Sequence, residues 1–595
     1  MPDQLHNLRH SLAHLLAASV LEIMPEAKLG VGPTIEHGFY YDFLLARPLT
    51  PQDLPKLEKL MRKRIGQNLG FEREELTEVQ AKEKFAKQPF KLELIHDLVT
   101  KGTTVFDELE QPIGKPSATI TAYTTGTFVD LCRGGHVEST KEIPADAFKL
   151  THIAGAYWRG SEKNAMLQRV YGVAFQTKAE LDAHLKMQEE AKKRDHRKLG
   201  QDLDLFTFSD LVGSGLPLWT PKGTLLRDTL DSFVWELRQK AGYERVDIPH
   251  ISKKDLFETS GHWAKFQDEL FKITTREGHV FAMKPMNCPH HTQLYARKQF
   301  SYRELPQRYA STTKVYRDEQ TGELSGLSRV RSITQDDAHV FCRESQVEVE
   351  AKKIWGIVST FYRAAGFKLD VRLSFHDPKH PEKYLGKPES WKKAEDTLRK
   401  IVRAQKATAV EAFGEAAFYG PKIDFMAKDS LGREWQVATI QLDMNLPERF
   451  DLACINEKGE RERIVMIHAA IMGSIERYLA ILIEHFAGAF PLWLAPVQVA
   501  IIPVSTKHQK TCEKLGKELR ESGVRVDVFS ADQSVGKSIR IAEKQKSPYM
   551  LVIGDKEMKS PKLHVRERGK VKLRVVAKKT FIAELLKKIQ TKAKR

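Results

Sequence analysis

Three residues that lie far apart in the sequence, Cys288, His339 and His468, are candidates for the ligands of one metal ion. Each belongs to a polar block; the blocks are Lys-Pro-Met-Asn-Cys-Pro (284–289), Gln-Asp-Asp-Ala-His (335–339) and Met-Ile-His (466–468). One thiolate and two imidazoles suit zinc, and three protein ligands leave the fourth coordination position open. An open position indicates that the metal contacts a substrate. The alternative for each residue alone is an ordinary buried side chain, which is common for Cys and His.

A second set of cysteine and histidine residues occurs in the first quarter of the chain. His10 and His14 are one helical turn apart, and Cys132 and His136 have the same spacing. Periodicity predicts an amphipathic helix over residues 5–23, with both histidines on the side opposite to a leucine face. That face comprises Leu5, Leu8, Leu12, Leu15 and Leu16. A Cys/His quartet also suits zinc, so a second metal site is one interpretation of this set.

The elements that position these residues fall into four predicted segments. The first is turn-rich, and the second is a polar helix over residues 178–197 that ends in a basic connector. The third mixes helices with strands such as 245–251 and 433–442, and it lacks the Gly-x-x-x-x-Gly-Lys-Ser/Thr loop for phosphate. Any nucleotide there must therefore be bound in another way. The segments cover residues 1–175, 176–199, 200–492 and 496–595.

The fourth segment has a regular pattern of alternating strands and helices. Two successive strand–helix–strand units predict right-handed crossovers and a largely parallel sheet. The predicted strands are 497–504, 524–529, 549–553 and one or two within 563–576. The predicted helices are 508–522, 536–546 and a basic closing helix at 580–594.

The net charge of +17 is concentrated near the C-terminus. Residues 496–595 contain 25 lysines and arginines against 10 aspartates and glutamates, whereas the whole chain has 95 against 78. This asymmetry indicates a polyanionic partner, most simply nucleic acid, although a lysine-rich solvated surface gives the same count. No apolar run approaches the ~20 residues that span a membrane, and no secretion signal is visible. Five cysteines in 595 residues favour a reducing cytoplasm.

Several longer phrases occur in a fixed order along the chain. They are Gly-Phe-Tyr-Tyr-Asp (38–42), Gly-Ala-Tyr-Trp-Arg-Gly (155–160), Lys-Arg-Asp-His-Arg-Lys (193–198), Thr-Gln-Asp-Asp-Ala-His (334–339), Phe-Tyr-Gly-Pro-Lys-Ile (418–423) and Trp-Leu-Ala-Pro-Val-Gln-Val (493–499). With these phrases the chain closely resembles the bacterial-type threonyl-tRNA synthetases, which are class II aminoacyl-tRNA synthetases. Pro249 resembles the motif 1 proline at the dimer interface. Arg317 and Glu319 resemble the Arg-x-Glu pattern of motif 2, and Gly473 and Arg477 resemble the Gly-x-x-x-Arg pattern of motif 3.

The resemblance implies an α+β multidomain fold. An N-terminal α+β editing domain, a class II core built on an antiparallel sheet, and a C-terminal α/β anticodon-binding domain are expected. The implied reaction is ATP-dependent activation of L-threonine to threonyl-adenylate and transfer to tRNA(Thr) by a cytoplasmic homodimer. The expected cofactors are one Zn²⁺ per subunit and Mg²⁺ with ATP. An RNA-binding paralogue without charging activity and an enzyme that only edits are the alternatives; retention of the metal ligands and motif arginines disfavours both.

The resemblance also implies roles for individual residues. Arg317 is expected to bind the α-phosphate of ATP and Arg477 the γ-phosphate, with Glu319 near the adenine and Arg329 as a further phosphate ligand. A guanidinium forms paired hydrogen bonds with phosphate, so lysine is not expected to replace these arginines. Threonine is expected to bind zinc through its amino and hydroxyl groups, which excludes valine by ~10⁴ or more. The other expected pocket residues are Asp337, the partner of the threonine hydroxyl, and Gln335, Tyr419, Lys422 and Gln441.

Serine retains the hydroxyl, so a second site is expected for its rejection. One methyl group discriminates by only ~10–200-fold, and serine coordinates zinc as well as threonine does. By the resemblance, the N-terminal segment hydrolyses seryl-tRNA(Thr) with an activated water. The expected editing residues are His10, His14, Lys91, Asp130, Cys132 and His136. The expected anticodon-reading residues are Arg540, Glu557 and Arg566, and nearby lysines would contact phosphates.

Four positions depart from the usual pattern of the family. His290 replaces a glycine, and Ile333 stands where an aromatic side chain normally stacks on adenine. Ala469 replaces an arginine, and Asp532 stands at an anticodon-reading position that is often Asn. The sequence also starts directly in the editing segment, without the small ubiquitin-like domain that often precedes it. None of these departures removes a metal ligand or a motif arginine.

Overall fold

The computed structural model describes residues 2–101 and 120–593. Its contacts divide the chain into two compact units, Met1–Glu189 and Glu190–Arg595. Among the described residues, no helix has the length and apolar character needed to cross a membrane. The first unit and its boundary contain helices α1 (Pro2–Ile23), α2 (Leu54–Gly66), α3 (Glu78–Lys84), α4 (Pro89–Lys101) and α5 (Lys178–Arg194). Its strands are β1 (Lys28–Leu29), β2 (Thr34–Ile35), β3 (Gly38–Leu44), β4 (Glu72–Leu76), β5 (Ile120–Thr125), β6 (Phe128–Leu131), β7 (Phe148–Tyr157) and β8 (Met166–Ala174).

The described part of the first unit contains two antiparallel sheets. One has the order β1-β3-β8-β7, with β2 paired to β3, and the other has the order β4-β5-β6. The predicted helix over residues 5–23 is confirmed as α1, and its leucine face packs into the core with Phe39, Tyr41 and Phe43 of β3. Residues 11–20 are all buried, so the histidine side of α1 also faces protein.

The predicted helix over residues 178–197 is wrong at its C-terminal end. Helix α5 stops at Arg194, and a separate helix α6 (His196–Asp202) begins after Asp195. The Asp195 side chain accepts a hydrogen bond from the backbone N–H of Arg197 at 2.8 Å, which caps the new helix. An N-cap residue has non-helical dihedrals, so the capping interaction breaks the periodic pattern that predicted one helix.

The second unit contains the remaining elements. Its helices after α6 are α7 (Pro221–Lys240), α8 (Lys254–Ser260), α9 (His262–Lys265), α10 (Cys288–Ala296), α11 (Val347–Ala365), α12 (Pro388–Ala404), α13 (Asn445–Arg449), α14 (Ile475–Phe486), α15 (Thr506–Glu521), α16 (Val535–Lys544), α17 (Asp555–Lys559) and α18 (Lys578–Gln590). Its first strands are β9 (Phe206–Thr207), β10 (Leu218–Trp219), β11 (Glu244–Arg245), β12 (Ile251–Lys253), β13 (Lys272–Thr274), β14 (Val280–Met283), β15 (Phe300–Ser301), β16 (Gln307–Tyr316), β17 (Ser332–Cys342), β18 (Leu369–Phe375) and β19 (Ala409–Phe413). The later strands are β20 (Lys422–Lys428), β21 (Glu434–Asp443), β22 (Ala453–Ile455), β23 (Arg461–Arg463), β24 (Val465–Ser474), β25 (Val499–Pro503), β26 (Val526–Val528), β27 (Tyr549–Ile553), β28 (Lys562–Glu567) and β29 (Arg574–Ala577).

An eight-stranded sheet forms the centre of the second unit. Its order is β11-β16-β17-β24-β21-β20-β18-β19, and all pairs are antiparallel except β11 with β16 and β18 with β19. Helices α11, α12 and α14 pack against it and supply much of the largest hydrophobic core. Ala338 and Val340 of β17 and Ile467 of β24 belong to this core. Because side chains alternate along a strand, the intervening residues project from the opposite face.

The two strands predicted in this unit have different outcomes. The strand over residues 433–442 is confirmed as β21. The strand over 245–251 is wrong, because β11 and β12 belong to different sheets and the residues between them, including Pro249, are outside any strand. Proline cannot donate a hydrogen bond to a sheet, which interrupts an otherwise strand-like run.

The C-terminal part of the second unit has a mixed sheet with the order β26-β25-β27-β28-β29. The pairs of β25 with β26 and β27 are parallel, as predicted, whereas β27, β28 and β29 pair antiparallel. The prediction of a largely parallel sheet is therefore right for three strands only. The connections after β27 are short, and short connections favour antiparallel neighbours.

Candidate functional site

Cys288, His339 and His468 meet on the sheet face opposite to the large hydrophobic core. Cys288 is the first residue of α10, and the antiparallel register places His339 of β17 directly opposite His468 of β24. One ligand atom from each lies within 4.8 Å of the others, and all three side chains are buried. Nε2 of His339 is 3.1 Å from Nδ1 of His468. Tetrahedral zinc with bonds of ~2.0–2.3 Å requires ligand separations close to this value. We call these residues the buried trio.

Each histidine of the buried trio has a second partner for its other ring nitrogen. Nε2 of His468 lies 2.9 Å from a carboxylate oxygen of Asp443, and Nδ1 of His339 lies 2.7 Å from Nδ1 of His291. These contacts leave Nδ1 of His468 and Nε2 of His339 directed at each other. Partners of this kind fix the tautomer and orientation of metal-binding histidines. The donor set therefore fits zinc in residue type and in orientation.

The electrostatic setting of Cys288 also favours a cation. Burial raises the pKa of its thiol well above the usual value, and the carboxylates of Asp337 and Asp443 raise it further. A metal ion reverses this effect because it stabilises the thiolate directly. The Sγ atom also lies 3.4 Å from Nε2 of the buried His262.

The expected amino-acid pocket residues lie around the buried trio. Gln441 of β21 is in register with both His468 and Lys422, so neighbouring strands present the three residues on one face. Tyr419 stacks on the His468 ring at a centroid distance of 4.8 Å and donates a hydrogen bond to Gln441 at 2.7 Å. Lys422 pairs with the buried Asp424 at 2.9 Å. These contacts form a polar wall beside the candidate metal position.

The remaining two pocket candidates are on β17. Asp337 accepts a hydrogen bond from Asn287 at 3.1 Å, and one of its oxygens is 3.8 Å from Nε2 of His339. Burial raises the pKa of Asp337, although the nearby His468 opposes that shift. Gln335 is half-buried two residues earlier on the same strand face, opposite Thr313 of β16. Asp337 is therefore the nearer of the two to the buried trio.

The four candidate phosphate and adenine residues lie on two elements. Arg317 follows β16, and its guanidinium lies over the Phe266 ring at 5.1 Å. Glu319 pairs with Arg329 across a hairpin at 2.7 Å. Arg477 is in the first turn of α14, over the Trp435 ring at 5.7 Å, and burial lowers its pKa. Among the described residues, Nε of Arg317 is buried without a hydrogen-bond partner.

The six expected editing residues come together in the first unit. The ligand atoms of His10, His14, Cys132 and His136, here named the N-terminal quartet, lie within 4.8 Å of one another. The Cys132 sulfur is 3.4 Å from His10 and 3.3 Å from His136. Desolvation lowers the pKa of His136 to about 2 and raises that of Cys132 to about 12. Imidazole and thiol groups in this cluster are therefore neutral at physiological pH.

A buried ion pair adjoins the N-terminal quartet. Nζ of Lys91 lies 2.5 Å from Asp130, and both side chains are almost fully buried. Tyr41, which sequence reasoning did not assign, accepts a hydrogen bond from Lys91 at 3.1 Å and donates one to Asp130 at 2.5 Å. A cavity of about 480 Å³ is lined by His10, His14, Lys91 and other residues. A ligand in this cavity could therefore contact His10, His14 and Lys91.

The three candidate anticodon residues lie in the C-terminal part of the second unit. Arg540 is exposed on α16, Glu557 is on α17 and Arg566 is on β28. Glu557 pairs with His564 at 2.7 Å, and Arg566 lies 3.7 Å from Glu543 of α16. The structure thus places them on adjacent elements, with surface ion pairs that a polyanion would have to displace.

The four departures from the family pattern have distinct surroundings. His290 is buried and lies 2.7 Å from the hydroxyl of Ser252. Ala469 points into the large hydrophobic core, away from the buried trio. Ile333 is half-buried on β17, and Asp532 is exposed and accepts a hydrogen bond from Ser530 at 2.6 Å. Only His290 therefore introduces a new polar contact near a candidate metal ligand.

Comparison with known families gives three matches along the chain. Residues 271–486 match the tRNA synthetase class II core domain (G, H, P, S and T). Residues 498–590 match an anticodon binding domain, and residues 120–171 match the threonyl and alanyl tRNA synthetase second additional domain. The matches fall in the regions that contain the buried trio, the C-terminal basic residues and part of the N-terminal quartet.

Individual proteins resemble the chain over most of its length. A threonine–tRNA ligase from Gloeobacter violaceus is 48% identical over 95% of this chain and 89% of its own. One from Dehalococcoides mccartyi strain CBDB1 is 45% identical over 99% and 98%. The solved RNA binding domain of a threonyl-tRNA synthetase from Cryptosporidium parvum is 35% identical, with a TM-score of 0.63 over 67% of this chain and 99% of that one. A prolyl-tRNA synthetase from Giardia lamblia, 17% identical with a TM-score of 0.54 over 68% and 81%, shares the fold alone.

Proposed function

We propose roles for individual residues of this protein, which belongs to the threonine–tRNA ligase family, as do the relatives that it resembles. Its reaction is the ATP-dependent ligation of threonine to tRNA, and the expected class II core, editing domain and anticodon-binding domain are confirmed. What remains to be assigned is how individual side chains perform the two chemistries. The observation that carries the proposal is the convergence of Cys288, His339 and His468 beside Asp337.

The synthetic site activates threonine by positioning and by stabilising charge. The threonine carboxylate attacks the α-phosphorus of ATP, and the bond to the pyrophosphate oxygen breaks. This step needs no covalent participation by the protein, so fixed positive charge supplies most of the catalysis. Arg317 binds the α-phosphate and Arg477 the γ-phosphate, while Glu319 and Arg329 border the nucleotide. The stacking of both guanidiniums on aromatic rings pre-orients them and leaves N–H groups for phosphate.

The buried trio would hold zinc through Cys288 Sγ, His339 Nε2 and His468 Nδ1. Zinc bound there would supply a Lewis acid for the amino and hydroxyl groups of threonine. Asp337 accepts the hydrogen bond of the threonine hydroxyl, and Tyr419, Gln441, Lys422 and Gln335 complete the pocket. Valine leaves this polar site unsatisfied, which costs ~10⁴-fold or more in kcat/KM. Mg²⁺ accompanies ATP.

The N-terminal quartet, with Lys91 and Asp130, hydrolyses seryl-tRNA(Thr) in the cavity of the first unit. A water molecule attacks the ester carbonyl, the bond between that carbon and the tRNA oxygen breaks, and a proton released by the water moves to the departing tRNA oxygen. Neutral histidines hold the water through their unprotonated nitrogens, and Lys91 stabilises the negative charge that develops on the carbonyl oxygen. A thiol with a pKa of about 12 is a poor nucleophile, which favours water over Cys132.

The C-terminal sheet and α16–α18 bind the anticodon arm of tRNA(Thr). The excess of lysine and arginine in this part supplies phosphate contacts, and Arg540, Glu557 and Arg566 contact bases. We propose a homodimer in which the exposed Pro249 lies at the interface. All five cysteines are free and buried, which supports a cytoplasmic location.

Amino-acid-dependent pyrophosphate exchange tests this assignment. Threonine is expected to support exchange. The exchange rate with serine should be ~10–200-fold lower, and the rate with valine should be lower by ~10⁴-fold or more. Lys91→Met is the matched variant, because it should leave all three exchange rates unchanged while seryl-tRNA(Thr) accumulates. Exchange with valine at a rate near that of threonine contradicts a metal-dependent hydroxyl contact. Clearance of seryl-tRNA(Thr) by the variant at the native rate contradicts the editing assignment.

A further inference from the structure

A third group of potential metal ligands lies outside both sites. Asp195, His196 and Glu484 bring ligand atoms within 4.8 Å of one another. Both ring nitrogens of His196 are already engaged, however. Nδ1 lies 2.6 Å from a Glu484 oxygen, and the backbone N–H of Leu327 donates to Nε2 at 3.0 Å. No lone pair on this imidazole is left for a metal. The role of His196 therefore depends on its hydrogen bonds to Glu484 and Leu327.

The tautomer of His196 follows from its two partners. A backbone N–H can only donate, so Nε2 carries the lone pair and Nδ1 carries the proton that Glu484 accepts. The same Glu484 oxygen also accepts the backbone N–H of His196 at 3.2 Å, and its second oxygen binds Arg433. Burial alone would raise the pKa of Glu484, but the hydrogen bonds from His196 and Arg433 hold it below its usual value. The carboxylate is therefore ionised and holds one imidazole orientation.

The acceptor side of His196 holds the hairpin that carries motif 2. Leu327 is fully buried at the tip, between Ser325 and Arg329, which form a mutual β-bridge. The hairpin closes at its base where the N–H of Arg317 donates to Arg331 at 3.0 Å. Gly326 has a φ of +51°, and a Cβ added there would lie 2.3 Å from Nε2 of His196. Only glycine lets the imidazole reach the backbone of the next residue.

The donor side of His196 ends on the helix that carries motif 3. Glu484 lies in the last turn of α14, and Arg477 lies in its first turn. Arg194 binds the same helix end by donating to the backbone carbonyl of His485 at 3.1 Å. One side chain from the segment after α5 thus links the far end of the hairpin to the C-terminal end of α14, whereas Thr334 of β17 and Glu476 of α14 link the two elements at the other end of that helix.

We propose that His196 is a positioning residue that ties the motif 2 hairpin, through Leu327, to the C-terminal end of the motif 3 helix, through Glu484. The tie keeps Arg317, Glu319 and Arg329 in register with Arg477. This inference rests on the nucleotide-binding roles proposed above. Because all three hairpin residues serve ATP and none serves threonine, the loss of the tie affects ATP binding selectively. Zinc binding and hydrolysis of seryl-tRNA(Thr) do not depend on it.

Two substitutions of His196 separate its two contacts. His196→Asn keeps a donor at the position of Nδ1 and cannot reach Leu327, whereas His196→Gln places an acceptor at the position of Nε2. We expect His196→Asn to raise the KM for ATP in threonine-dependent pyrophosphate exchange by ~10–100-fold, with the KM for threonine unchanged. His196→Gln should recover most of that loss, because its amide oxygen can accept the N–H of Leu327 while the backbone N–H of residue 196 still donates to Glu484. Gly326→Ala should give the same ATP defect, and it should not add to His196→Asn because both break one contact.

A matched glycine in the same hairpin is the control. Gly322 is exposed, and a Cβ added there has nothing within 4 Å, so Gly322→Ala should leave the KM for ATP unchanged. The proposal is overturned if both His196→Asn and Gly326→Ala keep the native KM for ATP. It is also overturned if kcat and the KM values for both substrates change together with a lower Tm, since that pattern marks a general structural role. Failure of the native protein to exchange pyrophosphate would instead contradict the proposed function.

Discussion

The buried trio and the N-terminal quartet contain similar side chains, yet their surroundings differ. In both clusters the potential ligand atoms lie within 4.8 Å of one another. The outer nitrogens of both His339 and His468 have partners. In the N-terminal quartet, Nδ1 of His136 lies 3.2 Å from the Ser11 hydroxyl, but among the described residues Nδ1 of His10 and of His14 has no partner. Distance between ligand atoms therefore does not distinguish the proposed metal centre from the proposed hydrolytic pocket. The hydrogen bonds outside the ligands do, because metal-binding histidines are normally held by a second partner.

The charges around the two clusters support the same distinction as the hydrogen bonds. Asp337 and Asp443 adjoin the buried trio and add negative charge that favours a divalent cation. Beside the N-terminal quartet the Asp130 carboxylate is already neutralised by the ammonium of Lys91 at 2.5 Å. Among the described residues, a zinc ion there would find no unpaired carboxylate to offset its charge, because Asp130 is already paired with Lys91. The same Cys and His side chains can therefore serve either metal binding or hydrolysis. Which of the two they serve depends on whether the neighbouring carboxylate is already paired with a lysine.

The largest effect is expected from removal of a ligand of the buried trio. Cys288→Ser should abolish zinc binding and lower threonine-dependent pyrophosphate exchange by at least ~10⁴-fold, because the hydroxyl contact is lost. Cys454→Ala is the matched control, since Cys454 lies in the same small hydrophobic cluster as Cys288 and is not a ligand. Metal analysis and exchange assays check both variants. Native exchange by Cys288→Ser removes the basis for a substrate-binding metal.

The next effect concerns the ion pair beside the N-terminal quartet. Lys91→Met should slow hydrolysis of seryl-tRNA(Thr) by ~10²–10⁴-fold and leave threonine activation unchanged. It should also destabilise the first unit by ~3–5 kcal/mol, because the buried carboxylate of Asp130 loses its partner. The double variant Lys91→Met, Asp130→Asn separates the two effects in denaturant titrations and deacylation assays. Stability should partly return while hydrolysis stays lost; recovery of hydrolysis would make the pair purely structural.

A smaller effect is expected from the second partner of His468. Asp443→Asn keeps an acceptor for the backbone N–H groups of Asn445 and Leu446, but it presents an N–H group to His468. Zinc affinity should fall by ~10–100-fold, measured by competition with a chelator. Asp429→Asn, at a buried carboxylate that binds Arg433 and Trp435, should have no such effect. Equal zinc affinity in all three proteins would show that outer partners do not define this site.

The candidate metal ligands were predictable because each lies in a distinctive phrase. Cys288, His339 and His468 meet as the sequence predicts, and alternation along β17 and β24 explains why both histidines leave the hydrophobic face. Asp443 and His262 carried no comparable signal. Each reaches the site through a long-range arrangement of strands and short helices that local periodicity does not encode.

Element boundaries show the same division between local and non-local information. The helix over residues 5–23 was predictable from its leucines, whereas the end of α5 depends on one side-chain cap from Asp195. The run over 245–251 has the composition of a strand, but the partners that would pair with it lie in two different sheets. Tyr41 belongs to a recognised phrase, yet its hydrogen bonds to Lys91 and Asp130 require contacts between residues 50 and 89 positions apart.

Zinc content per chain tests the central claim most directly. The native protein should contain one zinc equivalent, and Cys288→Ser should contain none, while His10→Ala together with Cys132→Ala should retain the full equivalent. Two equivalents in the native protein, or one that survives in Cys288→Ser and disappears from the N-terminal variant, would contradict the assignment of the metal to the buried trio.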